Sequence, residues 1–321
     1  MNILITGIHG FIGSNLVNTL KEHHPIYGMD IVTPQKEGVL NTFVWSKMDR
    51  IPPVEIIIHL AGIAHDTKNK TKAQEYLDIN VGLTQKIFQH FLKSTATKFI
   101  FFSSVKAVAD SVIGDQLFEE VLPNPKTPYG RSKLEAEKYI KNELGKWEEE
   151  QTMNGIDHNW KKVYILRPCM IHGPGNKGNL NLLYQFAQKD IPWPLGAYKN
   201  QRSFCSLENL VYVIHNLIEK DLESDIYQVA DDESLSTNDI IKLLADSLNK
   251  KLRIWNIPKW IIRLAAKLGD HLHLPLNSER LQKLTESYVV SNSKLKIALG
   301  IDRMPFSALN GMALTIESFK R

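Results

Sequence analysis

The sequence predicts an α/β protein in which a parallel sheet carries helices on both faces, with a smaller, mostly helical lobe at the C-terminal end. Continuous apolar runs, such as Ile56–Leu60 and Phe99–Phe102, are typical of strands buried on both sides. Helical periodicity fills the segments between such runs, from Phe11 to about Glu22 and from Thr71 to Ser94. This alternation is the pattern of a doubly wound fold.

Three glycines follow the first predicted strand at three-residue spacing. Gly7 permits a tight turn, Gly10 permits backbone amides to approach a pyrophosphate, and Gly13 permits a helix to pack closely against the strand. The helix that begins there supplies free N–H groups and a partial positive charge. The stretch therefore predicts a dinucleotide site in a Rossmann-type sheet.

Asp30 ends the second predicted strand, Ile26–Asp30. A carboxylate at this place in a dinucleotide fold accepts hydrogen bonds from the adenosine ribose hydroxyls and repels a 2′-phosphate. No arginine follows it directly. The sequence therefore predicts NAD as the cofactor in preference to NADP.

The other predicted elements divide the chain into a nucleotide-binding domain over residues 1–168, which region 202–230 rejoins, and a substrate-binding lobe over 169–321. Asn80 interrupts an apolar helix face, and we interpret it as a core amide that bonds neighbouring backbone, with a structural contact near the site as the alternative. The further predicted strands are 41–45, 163–166, 202–207, 226–230 and 252–257, and the further predicted helices are 128–150, 179–189, 207–218 and 237–248.

Composition excludes several classes of protein. The net charge of the 321-residue chain is +4 and its basic residues are scattered, so no nucleic-acid-binding stripe is predicted. Cys169 and Cys205 have no metal-ligand spacing, so we expect neither a disulfide nor a metal site. The first strand begins at the second residue and no apolar run reaches membrane-spanning length. We expect a cytoplasmic protein.

Tyr129 and Lys133 lie four residues apart at the start of a predicted helix, so their side chains project from one face. A phenol with a pKa near 10 is a poor base unless its phenolate is stabilised, and a neighbouring ammonium does this. Ser104 follows a buried strand, at the edge where open parallel sheets bind ligands. The pattern predicts Tyr129 as the acid/base for a sugar hydroxyl, with Lys133 and Ser104 as its catalytic partners.

This combination resembles the extended short-chain dehydrogenase/reductases, specifically the NAD-dependent epimerase/dehydratase family that acts on nucleotide sugars. The resemblance covers nearly the whole chain. It rests on Gly7-x-x-Gly10-x-x-Gly13, Asp30, His59-Leu60-Ala61-Gly62, Ser103-Ser104, Tyr129-Gly130-x-Ser132-Lys133, Arg167-Pro168 and Gly173-Pro174-Gly175.

The resemblance also implies binding residues. The cofactor is expected to contact Gly7, Gly10, Phe11, Ile12, Gly13, Asp30, Leu60, Ala61, Gly62, Tyr129 and Lys133. Asn179 and Arg202 would hold the diphosphate of a UDP-sugar, and Ser104 would bind the reacting oxygen. Lys106 is a candidate contact to a substrate phosphate or acyl group, with a structural role as the alternative. A homodimer through helices around 76–91 and 131–144 is implied as well.

Three functions remain open at this point. The favoured one is epimerisation of a UDP-hexose or UDP-N-acetylhexosamine at C4 through a 4-keto intermediate, in the bacterial branch that serves surface polysaccharides. The second is NAD(P)H-dependent reduction of a UDP-4-keto-6-deoxy-N-acetylhexosamine. The third is a dinucleotide-sensing regulator without chemistry. A dehydratase is disfavoured because Val105 and Lys106 occupy the places of its acidic pair.

The segment Pro258–Gly269 combines apolar residues with Lys259, Arg263 and Lys267. Such a helix could lie on a membrane that carries a lipid-linked sugar, or it could pack over the substrate lobe. The sequence favours packing, because stable surface binding usually needs a second signal.

Overall fold

A computed structural model describes residues 1–63, 72–155, 160–176, 179–189, 191–272 and 277–320. Seven strands form a parallel sheet in the order β3-β2-β1-β4-β5-β6-β9, and three more form a small sheet in the order β10-β8-β7. The strands are β1 (Ile3–Thr6), β2 (Ile26–Asp30), β3 (Asn41–Val44), β4 (Ile56–His59), β5 (Lys98–Phe102), β6 (Lys162–Pro168), β7 (Met170–His172), β8 (Arg202–Ser206), β9 (Asp225–Val229) and β10 (Ser234–Leu235).

Helices cover both faces of the large sheet and form most of the second lobe. They are α1 (Phe11–Leu20), α2 (Ala73–Tyr76), α3 (Gly82–Lys93), α4 (Pro128–Met153), α5 (Asn179–Gln188), α6 (Leu207–Glu219), α7 (Thr237–Ser247), α8 (Lys259–Leu272), α9 (Ser278–Thr285), α10 (Ser293–Leu299) and α11 (Ala308–Ser318). None of these described helices combines the length and the apolarity that a bilayer span requires.

Two apolar cores sandwich the large sheet. On one face, α1 and α6 pack against alternate strand residues such as Ile3 and Ile58. On the other face, α3 and α4 pack against Leu4, Ile57 and Phe99. The strands are apolar on both sides because both sides are covered, which is why their sequences read as unbroken apolar runs.

The direction in which successive strands are added to the sheet changes at β1. The chain passes from β1 to β2 on one side and returns to β4 on the other, so β1 pairs with both. In an open parallel sheet the crevice beyond the carboxyl ends at this point is where ligands bind. The Gly-rich turn after β1, the end of β4 and the end of β5 all lie at this edge.

The second lobe packs α5, α7, α8, α9 and α11 around its own apolar core. His172 of β7 is fully buried, and its Nδ1 lies 2.8 Å from Thr315 Oγ1 on α11. The chain returns to the large sheet at β9, which pairs in parallel with β6. From these contacts we propose that residues 1–168 with α6 and β9 form the nucleotide-binding unit.

Several elements differ from the sequence prediction. The strand predicted at 252–257 is wrong: Ile254 and Asn256 make only isolated bridges, one parallel and one antiparallel, to Trp193 and Leu195. Pro194 between those partners has no N–H to continue a ladder. The short strands β7 and β10 were not predicted, because runs of two or three residues carry no periodicity.

The helix predicted from Thr71 to Ser94 is interrupted. Its first residue lies outside the described residues, and between α2 and α3 the turn Leu77–Val81 is a π-helix. A π-turn adds one residue to the helical repeat and rotates the side chains that follow it. Asn80 lies in this turn and is buried, facing the catalytic edge of the sheet.

Candidate active site

The turn after β1 has the geometry of a phosphate-binding loop. Gly7 has φ +70°, and a Cβ there would lie 2.9 Å from the Ala61 nitrogen. At Gly13 a Cβ would lie 2.5 Å from the Gly7 carbonyl oxygen, so α1 can approach β1 only with glycine. Gly10 caps α1 without a side-chain hydrogen bond, so the N–H groups of its first turn remain available to an anion. The loop fits a dinucleotide pyrophosphate.

Asp30 lies at the end of β2, beside this turn. Its Oδ2 accepts a hydrogen bond from the His9 N–H at 3.0 Å, and its Oδ1 accepts one from the Ile31 N–H at 2.7 Å. A carboxylate oxygen has two lone pairs, so both oxygens retain capacity for further donors. The position fits the predicted contact to ribose hydroxyls.

Replacing Asp30 by Ala should weaken the discrimination between NAD and NADP by about tenfold, equivalent to about 1.4 kcal/mol. The reason is that the negative charge disfavours a 2′-phosphate while it accepts from a 2′-hydroxyl. Calorimetric titration with both cofactors measures the ratio of affinities. Glu37→Ala is the matched control, because Glu37 is an exposed acid paired with Lys21. An unchanged ratio in Asp30→Ala would count against its role.

The side chains of Ser104 and Tyr129 meet at the carboxyl end of β5. Ser104 is the second residue after β5, and its Oγ accepts the Lys106 N–H at 3.2 Å. Tyr129 lies in the first turn of α4, which Thr127 caps, and its hydroxyl hydrogen-bonds the Ser104 side chain. Burial raises the pKa of Tyr129, and the hydrogen bond to Ser104 opposes that rise. The ring of Tyr129 packs edge-to-face on Tyr76.

Lys133 lies one helical turn beyond Tyr129 and is buried. Its Nζ donates to the Phe102 carbonyl at 2.8 Å and lies 3.6 Å from where a Cβ on Gly62 would be. Burial lowers the pKa of Lys133 to about 8, and the charge of Glu137 opposes this shift. The ammonium is thus held beside Gly62, while burial, Ser104 and Tyr76 set the pKa of Tyr129. That Lys133 acidifies the phenol stays a prediction.

Asn80 joins the loop after β4 to α4. Its Oδ1 accepts the Ile63 N–H at 2.7 Å, and its Nδ2 donates to the Ser132 Oγ at 2.9 Å. A Cβ on Gly62 would lie 2.6 Å from this Oδ1, so the loop can approach Asn80 only with glycine. The amide does bond neighbouring backbone, and it also fixes the distance between the two parts of the site.

A buried histidine supports the same loop. His59 Nδ1 lies 2.6 Å from Thr6 Oγ1, and Nε2 lies 3.0 Å from Thr84 Oγ1. Thr84 already donates its hydroxyl proton to the Asn80 carbonyl at 2.7 Å, so it must accept from Nε2. Thr6 in turn accepts from the Ala61 N–H and donates to Nδ1. These bonds fix the neutral Nε2–H tautomer of His59, which has no place for a second proton.

Burial, with the charge of Lys133, lowers the pKa of His59 to about 3 from its usual 6.5. The unfolded chain binds this proton below pH 6.5 and the folded chain binds it only near pH 3. The contribution of neutral His59 to the free energy of unfolding is therefore fully present above pH 6.5. It decreases as the pH falls towards 3, by up to about 1.4 kcal/mol per pH unit.

We expect His59→Gln to lose stability less steeply than the unmodified protein between pH 6.5 and pH 5. Urea denaturation at a series of pH values measures the two slopes. His23→Gln is the control, because His23 is exposed and should leave the slope unchanged. Parallel curves for His59→Gln and the unmodified protein would contradict the assignment.

A buried ion pair lies behind the catalytic residues. Arg167, near the end of β6, donates from Nε and Nη2 to the two carboxylate oxygens of Glu137 on α4, at 2.9 and 2.6 Å. Ser103 also donates to Glu137. All three side chains are less than a twentieth exposed. The pair joins α4 to the strands β5 and β6, and so sets the position of Tyr129 and Lys133 against the sheet.

Two cations lie together at the border with the second lobe. Lys106 Nζ donates to the Asp110 carbonyl at 2.7 Å and lies 4.1 Å from the ring centre of Tyr288. Arg202, on β8, donates to the Lys283 carbonyl. Burial lowers the pKa of Lys106, and the charge of Arg202 lowers it further. An anion bound here would relieve that repulsion. Asn179 begins α5, and its side chain lies outside the described residues.

The structure therefore brings the predicted residues into two groups: the candidate cofactor-binding and catalytic residues along the sheet edge, and Lys106 with Arg202 at the lobe. The sequence analysis assigned no supporting role to the buried polar side chains of Thr6, His59 and Glu137. The signal for His59 was a polar residue ending a wholly apolar strand. Tyr288 gave no local signal, since it reaches the site from far along the chain.

The chain is similar to known proteins over nearly its whole length. A UDP-glucose 4-epimerase of Vibrio cholerae is 29% identical, over 99% of this chain and 95% of the relative. An N-acetyl-α-D-glucosaminyl-diphospho-ditrans,octacis-undecaprenol 4-epimerase of Escherichia coli O157:H7 is 26% identical, over 92% and 84%. The solved UDP-glucose 4-epimerase of Thermotoga maritima with UDP-glucose superposes with a TM-score of 0.73 at 21% identity, over 100% and 99% of the two chains.

The family comparison covers more than half of the chain. The profile of the NAD dependent epimerase/dehydratase family matches residues 3–230, from β1 to the end of β9. This range contains the Gly-rich turn, Asp30, Ser104, Tyr129 and Lys133. The chain belongs to the NAD dependent epimerase/dehydratase family, whose members are enzymes that use NAD.

Proposed function

We propose that the protein is a nucleotide-sugar 4-epimerase that acts on a UDP-hexose or a UDP-N-acetylhexosamine. The observation that carries this proposal is the hydrogen bond between Tyr129 and Ser104 at the carboxyl edge of the sheet, with the Lys133 ammonium beside Gly62. The similarity to the Vibrio cholerae UDP-glucose 4-epimerase supports the same reaction.

Tyr129 removes the proton from the C4 hydroxyl and returns it when the 4-keto sugar is reduced. NAD, when bound, would supply the group that takes up the C4 hydride and returns it. Ser104 donates a hydrogen bond to the reacting oxygen and so keeps it within reach of the phenol. Lys133 would hold the nicotinamide ribose and stabilise the phenolate.

The diphosphate of the substrate would bind between the sheet and the second lobe. Arg202 presents a planar guanidinium that can bind phosphate oxygens in a bidentate way, and Lys106 adds a second positive charge. Asn179, at the first position of α5, would donate to the same group. Two phosphates held here leave the hexose to reach Tyr129, and rotation of the 4-keto sugar then presents its other face for reduction.

The test is incubation of the purified protein with UDP-N-acetylglucosamine or UDP-glucose without added reductant, followed by proton NMR of the products. We expect the C4 epimer to appear. If no epimer forms and NADH or NADPH is consumed with a UDP-4-keto-6-deoxy-N-acetylhexosamine, the protein is a 4-keto reductase and the proposal is wrong.

We also propose a homodimer through α3 and α4. A groove beside them is lined by Leu77, Val81 and Leu83 together with Glu135 of α4, and Leu77 is exposed. Apolar side chains in such a groove are buried when two copies pair. Sedimentation velocity should show a dimer, and Leu77→Glu should shift it towards the monomer.

A further inference from the structure

The helix α8 of the second lobe has an apolar face in contact with solvent. Ile262, Ala266 and Gly269 on one side of the helix are buried against the lobe. Five large apolar residues on the other side are exposed: Trp260 (67%), Ile261 (39%), Leu264 (53%), Leu268 (54%) and Leu272 (66%). No other described helix has more than two exposed residues of this kind.

The exposed residues form a continuous stripe. At about 100° per residue, Trp260, Leu264, Leu268 and Leu272 advance by about 40° at each step, so the stripe winds slowly along the helix over an arc of about 120°. Arg263 and Lys267 lie one turn apart along the border of the stripe. A stripe of this size on a soluble surface marks an interaction site.

The charge around the stripe is positive. Helix α8 carries three basic residues, Lys259, Arg263 and Lys267, and one acid, Asp270. The carboxylate of Asp270 accepts the Ser278 N–H at 2.9 Å. Lys259 is turned onto the ring of Tyr198, 5.4 Å from its centre. Arg263 and Lys267 are exposed and form no ion pair within the described part of the chain, so they can meet an external anion.

The segment before α8 carries further basic and aromatic residues. Lys251 and Arg253 are exposed there, Lys250 is half-buried with its Nζ donating to the Gln188 carbonyl, and Trp255 is 54% exposed. Tryptophan is enriched where a protein meets the headgroups of a bilayer, and clusters of lysine and arginine attract anionic lipids. Stable binding at a lipid surface requires two signals. Here the exposed apolar stripe is one, and the basic residues along its border are the other.

We propose that α8 docks on the surface of an anionic bilayer. Trp260, Leu264 and Leu268 enter the boundary between headgroups and acyl chains, and Arg263 and Lys267 contact the lipid phosphates. The sequence favoured packing of this helix over the lobe; in the structure only the side that carries Ile262 and Ala266 does so.

The docking face is connected to the candidate substrate site. The bond from Ser278 to Asp270 ties the end of α8 to the start of α9. Helix α9 has eight residues and so spans about 12 Å, and the carbonyl of Lys283 near its other end accepts from Arg202. The end of α8 thus lies about one short helix away from the contact of Arg202 with α9. The proposal of docking itself does not depend on the reaction proposed above.

Sedimentation of the full-length protein with lipid vesicles tests the proposal. We expect binding to vesicles of phosphatidylethanolamine and phosphatidylglycerol, weaker binding to phosphatidylcholine vesicles, and loss of binding at high salt. The double variant L264E/L268E should bind at least about tenfold more weakly, because carboxylates replace two apolar anchors. Both positions are more than half exposed, so the fold should be retained, which circular dichroism checks.

The matched control is L309E/L314E on α11, where the two leucines are 50% and 45% exposed. This variant adds the same charge at a distant helix and should bind vesicles as the unmodified protein does. Absence of binding to the anionic vesicles, or equal loss in both double variants, would overturn the proposal. A concentration-dependent dimer that L264E/L268E abolishes, without vesicle binding, would assign the stripe to a second copy of the chain instead.

Discussion

Replacing Tyr129 by Phe should lower turnover of a nucleotide sugar by a factor of about 10² to 10⁴, while NAD still binds. The substitution removes the hydroxyl that hydrogen-bonds Ser104 and leaves the ring against Tyr76. Loss of a positioned acid/base has an effect of this size. Turnover is measured from the rate of epimer formation by NMR, and NAD affinity by calorimetric titration.

The control for this substitution is Tyr139→Phe. Tyr139 lies on the same helix, α4, and its hydroxyl accepts a hydrogen bond from Gln89 at 3.0 Å, away from the sheet edge. Its loss should leave turnover within about twofold of the unmodified protein, since it touches no candidate site residue. Equal turnover in both variants would remove Tyr129 from the mechanism.

Replacing Glu137 by Ala should destabilise the protein by about 3 to 5 kcal/mol. The guanidinium of Arg167 would remain buried without its carboxylate, and Ser103 would lose its acceptor. An uncompensated charge in the interior carries a cost of this size. The shift of the urea midpoint, with the slope of the transition, measures the change in the free energy of unfolding.

Two further variants distinguish a buried charge from a general helix effect. Glu135→Ala on the same helix breaks an exposed ion pair with Lys138 and should cost less than about 1 kcal/mol. The double variant E137M/R167M removes both charges and should be more stable than Glu137→Ala alone, since no charge is left unpaired. Similar losses in Glu135→Ala and Glu137→Ala would contradict this role of the pair.

The candidate cofactor-binding residues could be predicted from the sequence because they lie close together along the chain. Gly7, Gly10, Gly13 and Asp30 lie within one strand, one helix and the next strand, and each position has its own physical requirement. Asp30 was placed by its distance along the chain, and the structure puts it against the His9 N–H beside the same turn. Short-range patterns of this kind can be interpreted from the sequence because the local conformation does not depend on a distant partner.

The contacts of the candidate substrate-binding residues could be predicted much less well. Arg202 is positioned by the carbonyl of Lys283, 81 residues away in sequence, and Lys106 by the ring of Tyr288. No periodicity or spacing reports contacts between such distant segments. Glu137 likewise gave no signal in the sequence, because only its pairing with Arg167 makes its burial tolerable.

The return of the chain at β9 affects how this protein can be divided. A fragment ending at residue 168 would carry β6 as an open edge, with the main-chain groups that pair Tyr164–Pro168 with β9 left bare. Bare edges of this kind recruit other chains and cause aggregation. The nucleotide-binding unit therefore cannot be expressed by simple truncation. A soluble half would require β9 to be fused back behind β6 through a short artificial linker.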